Sequence, residues 1–147
     1  MGLTCQAVEM GVNGLIFHVL PDGGDERGSS FALPATWLGS AGGPVDVHVT
    51  TLVPGGVRGN HFHRERRELL IVVHQGAWSV HWDEGSEGTP VRSRVFEGRG
   101  AVLIEVPPLV SHAVRNDGSA VLQITGLSDG LYDPAAPDAY SRTVVAQ

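Results

Sequence analysis

Four side chains in this sequence have the types and spacing of a metal-binding set. His61 and His63 flank Phe62, so on extended backbone both imidazoles point to the same face. Glu68 opens the apolar run that follows an arginine-rich turn, and His112 opens a later run after Pro107 and Pro108. Three imidazole nitrogens and one carboxylate oxygen suit one divalent metal per chain: zinc first, with iron, manganese, nickel or cobalt also compatible. Positions stay open for water or substrate. The competing account is a buried histidine cluster satisfied by backbone carbonyls. The glutamate weighs against it, because glutamate is rarely buried without a partner.

Other residues could serve that centre. His48 in VDVHVTTL and His81 in WSVHWDE sit in strand-like runs that could line a barrel, and either could act as a general base near neutral pH; the bland account is a packed or rim histidine. Trp78 and Trp82 share one strand face and His81 the other, with core packing as the default for the tryptophans. His18 and His74 have no assigned role. Arg58 precedes the histidine pair, and Arg64, Arg66 and Arg67 follow it, a local basic rim able to hold a small anion. By position only Arg58 is favoured for this; the other three fit a solvated loop.

All ten basic residues are arginine, and the absence of lysine excludes Schiff-base chemistry and a phosphate loop that needs its lysine. A net charge of -6 argues against nucleic-acid binding, which relies on a basic face. The single cysteine, Cys5, cannot form an internal disulfide and reads as a bystander thiol. The first residues lack the basic start and apolar core of a signal peptide, and no apolar run approaches membrane-spanning length, so the expected location is cytoplasmic with no membrane partner.

The elements that must position these residues are short strands. A chain of 147 residues is enough for one core, so residues 1–147 are expected to form a single domain. Twenty glycines and nine prolines punctuate runs rich in valine, isoleucine and threonine, the pattern of an all-β sandwich or barrel. The expected strands are Gly14 to Leu20, Val45 to Val53, Glu68 to His74, Ala77 to Trp82, Val91 to Phe96, Ala101 to Val106, His112 to Asn116 and Ala120 to Leu127. PDGGDERGSS, GSAGGP, VPGGVRGN, DEGSEGTP, EGRG and NDGS read as turns, and Arg64 to Glu68 as a charged loop. Residues 128–147 change character and read as a C-terminal extension packed on the barrel through Tyr132, Tyr140, Val144 and Val145.

Together these residues resemble the cupin superfamily. Gly55, His61, His63 and Glu68 are similar to its first motif, and Gly100, Pro107, His112 and Asn116 to its second. Between Glu68 and Gly76 there is one residue more than that motif has, which suggests a bulge near His74 and Gln75. Pro108 and Leu109 stand where the second motif has a glycine after its proline, so that turn must differ. The resemblance implies a cupin jelly roll, a double-sheet β-barrel, and commonly a homodimer.

A narrower resemblance runs from about Pro21 to Val145. DERGSSF resembles the opening of dTDP-4-dehydrorhamnose 3,5-epimerases. RGNHFHRERRE and YDPAAPDAY resemble the C-terminal cupin domain of the bifunctional capsular-polysaccharide enzyme that epimerises a UDP-4-keto-hexose, and VPPLVSH resembles a segment of dTDP-sugar 3,4-ketoisomerases. This implies proton transfer beside the ketone of a nucleotide-linked sugar, with Arg58, Asn60 and Arg27 at the substrate. In members that need no metal, His61 and His63 would be catalytic bases. The rhamnose-type enzymes use a tyrosine acid on the strand after the second motif, and AVLQITGL has none; a metal-bound water or a histidine would have to replace it. The same residue set also suits a metal-dependent oxygenase or rearrangement enzyme on a small metabolite, or a non-enzymatic sugar-binding or regulatory cupin.

Overall fold

The computed structural model describes residues 8–10, 14–33 and 43–147; Cys5 lies outside them. Among the described residues there are eleven strands and no helix, so none is long and apolar enough to cross a membrane. In chain order they are β1 (Val8–Met10), β2 (Ile16–Leu20), β3 (Asp46–Leu52), β4 (Val57–Phe62), β5 (Glu68–His74), β6 (Trp78–Trp82), β7 (Arg92–Phe96), β8 (Gly100–Val106), β9 (His112–Asn116), β10 (Leu122–Ser128) and β11 (Tyr140–Ser141). They form two antiparallel sheets, ordered β1-β2-β8-β5-β10-β3 and β11-β4-β9-β6-β7.

Alternation builds the core between the sheets. Leu70 and Val72 of β5, Val102 and Ile104 of β8, Trp78, Val80 and Trp82 of β6 and Val114 of β9 turn inward and are buried together. Both tryptophans are therefore core residues, and Trp78 stacks on Phe96 with ring centroids 4.4 Å apart. On the outer face of the six-stranded sheet a second cluster forms where Phe31 and Leu33 pack against Leu20, Ala101 and Leu103.

Strands β5 and β9 have the bounds expected from the sequence, and most of the other expected strands shift at their ends by a residue or two. Two differences matter for the site. The stretch VPGGVRGN, expected as a turn, contributes most of β4: its backbone pairs with β9 from Val57↔Arg115 onward, and that ladder overrides the poor strand propensity of its glycines. The bulge expected near His74 and Gln75 is absent from β5, whose register with β8 stays in step to His74↔Gly100; the extra residue falls in the following turn. The register instead breaks in β4, between Gly59 and His61.

Candidate metal centre and active site

The break in β4 places the histidines. Arg58 sits opposite Val114, which faces the core, so Arg58 also points between the sheets. Strict alternation would then turn His61 outward. One extra residue restores the parity: Gly59 pairs with Ala113, His61 pairs with His112, and Asn60 is left over. Gly59 has φ 113° and Asn60 φ 55°, and a Cβ on Gly59 would lie 2.4 Å from the His112 carbonyl oxygen. The Gly-Asn pair thus permits both the bulge and the close approach of β9. Arg58 and His61 come to the same face, and His63 follows by alternation.

His61, His63, Glu68 and His112 converge, with one ligand atom from each all within 4.8 Å of one another. The Glu68 carboxylate, 7% exposed, receives His63 Nε2 at 3.2 Å and His112 Nε2 at 3.1 Å on the same oxygen. The far sides of both rings are held by backbone: His63 Nδ1–H donates to the Asp138 carbonyl at 2.5 Å and His112 Nδ1–H to the Val110 carbonyl at 3.3 Å. With Nδ1–H kept on a backbone carbonyl, each ring would give up the Nε2 proton it now shares with Glu68 when a metal binds and would turn an Nε2 lone pair to the common point, the arrangement metal-ligating imidazoles need. Ligand atoms on a metal with bonds of about 2.1 Å lie about 3.0 to 3.4 Å apart, so the two contacts to Glu68 already fit a shared ion. These four residues could hold one.

The electrostatics are consistent with a ligand set. Burial, then the neighbouring His112, lowers the His61 imidazole to about 4 despite the opposing Glu68 charge, so it is neutral at pH 7. Burial alone would raise the Glu68 carboxyl, but the hydrogen bonds from His112 and His63 and their charges hold it well below the usual carboxylate range. Burial would lower His63; its hydrogen bond to Glu68, the Glu68 charge and the Asp138 carbonyl together raise it instead.

A cavity of about 830 Å³ opens beside the cluster, lined by His61, Glu68 and His112 together with Arg58, His48 and Thr50. Other residues expected at the site lie elsewhere. Arg27, 85% exposed on its side chain, forms an ion pair with Asp25 in a surface turn. Asn60 spends its amide on the C-terminal segment: Nδ2 donates to the Val145 carbonyl and Oδ1 accepts the backbone N–H groups of Val144 and Val145. His81 shares its face of β6 with Ser79, accepting or donating at 3.0 Å, and is not among the residues lining the cavity. The arginine loop is also committed. Arg64 lies over the Tyr140 ring, Arg66 donates to the Pro137 carbonyl at 2.7 Å, and Arg67 pairs with Glu105.

Asp138 is the residue that sequence reasoning missed. Its carbonyl orients His63, while its carboxylate accepts the backbone N–H groups of Arg64, Glu65 and Arg66 at 2.8, 3.2 and 3.1 Å. Burial would raise that carboxyl, but these three bonds lower it. The signal lay in YDPAAPDAY, whose aspartate precedes the Tyr140 that pairs with Phe62. Leu109 adds a second brace from the altered turn. At φ 74° it takes the conformation a glycine would, and its N–H donates to the His63 carbonyl at 2.6 Å.

The sequence pattern of the polysaccharide biosynthesis C-terminal domain family matches residues 24–140. No curated protein sequence matches the chain significantly. Among solved structures, the capsular polysaccharide assembling protein CapF of Staphylococcus aureus superposes with a TM-score of 0.61 at 23% identity over 86% of this chain; the chain spans 35% of CapF. NovW, a 4-keto-6-deoxy sugar epimerase from the novobiocin gene cluster of Streptomyces spheroides, gives 0.67 at 19% identity, covering 86% of this chain and 68% of NovW. A variant of the 3,4-ketoisomerase QdtA of Thermoanaerobacterium thermosaccharolyticum, in complex with TDP-4-keto-6-deoxyglucose, gives 0.65 at 16% identity over 87% of both chains. At these identities the likeness establishes the fold, the cupin jelly roll.

Proposed function

Because the chain belongs to the polysaccharide biosynthesis C-terminal domain family, we propose that it is a metal-dependent isomerase or epimerase acting beside the ketone of a nucleotide-linked 4-keto-sugar. The observation that carries this reading is the convergence of His63 Nε2 and His112 Nε2 on one Glu68 oxygen, beside His61, in a cavity that also presents Arg58. A divalent metal bound there would polarise the ketone oxygen as a Lewis acid. The protein supplies the rest. Neutral His61 is available as a ligand at pH 7. Glu68, held ionised, balances the ion's charge. Arg58 holds the diphosphate by forked hydrogen bonds; among the described residues it has no ion-pair partner. The substrate class is supported by the names of two neighbours, an epimerase of 4-keto-6-deoxy sugars and a ketoisomerase bound to a TDP-keto-sugar. The setting we assign is polysaccharide or secondary-metabolite glycosylation, and the working form a homodimer.

Two measurements test this. Protein purified without an affinity tag should contain one divalent metal per chain, lost in His61→Ala. Incubation with TDP- or UDP-4-keto-6-deoxyhexose in heavy water should place deuterium at carbon 3, since an enediolate is reprotonated from exchanged groups. Full activity without metal would move His61 and His63 from ligands to bases. Oxygen-dependent turnover on redox-active iron would replace the isomerase with an oxygenase. Saturable binding without exchange would leave a sugar-binding module.

A further inference from the structure

The reaction needs a group that takes a proton from carbon, and β10, with the sequence LQITGLS, carries no acid or base side chain. Five titratable side chains line the cavity: His48, Arg58, His61, Glu68 and His112. Arginine does not release its proton in proteins, and three of the others form the ligand cluster. His48 remains.

Its placement has a structural cause. In the six-stranded sheet, Leu70 of β5, Gly126 of β10 and His48 of β3 lie in one cross-strand row. Leu70 is two residues along β5 from Glu68 and shares its face, so the row runs beside the metal cluster. Two strand spacings separate Leu70 from His48, roughly 10 Å, which leaves room for a sugar ring between the imidazole and the cluster. The imidazole occupies the space above Gly126: a methyl group there would lie 2.4 Å from His48 Cε1, 2.5 Å from Nε2 and 3.1 Å from Nδ1. Gly126 is flanked by Ile124 and Ser128 on the same inner face, so the glycine is a gap in a row of side chains, and the histidine of the neighbouring strand fills it.

We propose that His48, laid over the bare backbone of Gly126, is the proton-transfer residue of this cavity; the assignment rests on the isomerase reading above. A ring nitrogen takes the proton from the carbon next to the ketone. The C–H electron pair becomes the C=C bond of an enediolate as the carbonyl π electrons move to oxygen. The imidazolium then gives the proton, on its own face, to the former carbonyl carbon while the hydroxyl proton passes to the new hydroxyl oxygen; in an epimerisation, water instead protonates the first carbon from the opposite face and the imidazolium releases its proton to solvent. Gly126 is a positioning residue, because any side chain there would push the ring away.

The test compares deuterium exchange at carbon 3 of TDP- and UDP-4-keto-6-deoxyhexose by the metal-loaded full chain and its variants. His48→Ala and His48→Gln should each lower the exchange rate about 100-fold or more, with the half-saturating concentration little changed. Added imidazole should restore part of the rate in His48→Ala, a recovery that a structural role would not produce. Gly126→Ala should cause a comparable loss by displacing the ring, and no further loss in the His48→Ala background. A His48→Ala protein that exchanges at the unmodified rate overturns the assignment. So do independent, multiplicative losses in the double variant. Failure of the unmodified protein to exchange with either nucleotide overturns the isomerase reading itself, and His48's role with it.

Discussion

Within the cluster, burial and charge act on His61 and Glu68 so that acid weakens the fold. The folded chain keeps His61 neutral down to about pH 4, whereas the unfolded imidazole protonates near its ordinary value of 6.5. Between those values the unfolded chain binds more protons, so stability falls as pH drops through that window. Glu68, with its folded pKa depressed, contributes stability present above about 4.5 and lost at lower pH, extending the trend; His63, raised, contributes stability below 6.5 that is lost as pH rises through its folded value. Urea unfolding of metal-free protein should therefore show a steeper loss between pH 6.5 and 4 than His61→Asn does. Arg58 makes its own prediction. Its guanidinium faces the cavity, and loss of one charge-assisted pair to a ligand should remove about 1.5 to 3 kcal/mol of binding. Arg58→Ala should raise KM far more than it lowers kcat, and an effect confined to kcat would contradict a diphosphate role.

Strand β4 shows how one element sets the geometry of several residues. The bulge at Gly59 and Asn60 is what brings Arg58 and His61 to one face, and β9 packs too close for any side chain at 59. Gly59→Ala should destabilise the fold by about 1 to 3 kcal/mol in urea titration and lower metal content in the same protein. The C-terminal segment acts on the same strand from outside. β11 pairs with β4, the Asn60 amide clasps Val144 and Val145, and Arg142 bridges to Asp83 while Ser111 donates to the Arg142 carbonyl. Asp138 transmits this order to His63. Loss of its carboxylate in Asp138→Ala frees the 64–66 loop and should lower metal affinity about 10- to 100-fold, read by competition with a chelator. Asp138→Asn, which keeps an acceptor oxygen, should lose less.

For the whole molecule, the two sheets bury their facing sides but leave β3 as one edge of the larger one, with β1 at the other. Val47 and Val49 on that edge strand are each 60% exposed, an apolar edge of the kind natural sheets cover or charge. This supports the homodimer as the working form. Sedimentation equilibrium should give twice the 15.5 kDa chain mass, and Val47→Lys with Val49→Lys should return it to one chain. A monomer at micromolar concentration before substitution would refute it.

The ligand types and their local spacing were legible in the sequence because they obey short-range rules. Period-two alternation located β5 and β9 and showed that His61 and His63 share a face, and the placement of Glu68 and His112 at strand starts followed from the apolar runs they open. What the tertiary structure alone decided depends on pairing between distant strands. Whether β4 carries a bulge is settled by its register against β9, and no pattern within RGNH distinguishes that strand from the turn expected there. Asp138 reaches His63 across 75 residues, and His48 finds its seat on Gly126 only because β3 and β10 are neighbours in register. Arg27 and Asn60 show the converse. The resemblance placed both at the substrate, but one closes a turn with Asp25 and the other turns its amide to Val144 and Val145, because backbone and charge partners satisfy them first.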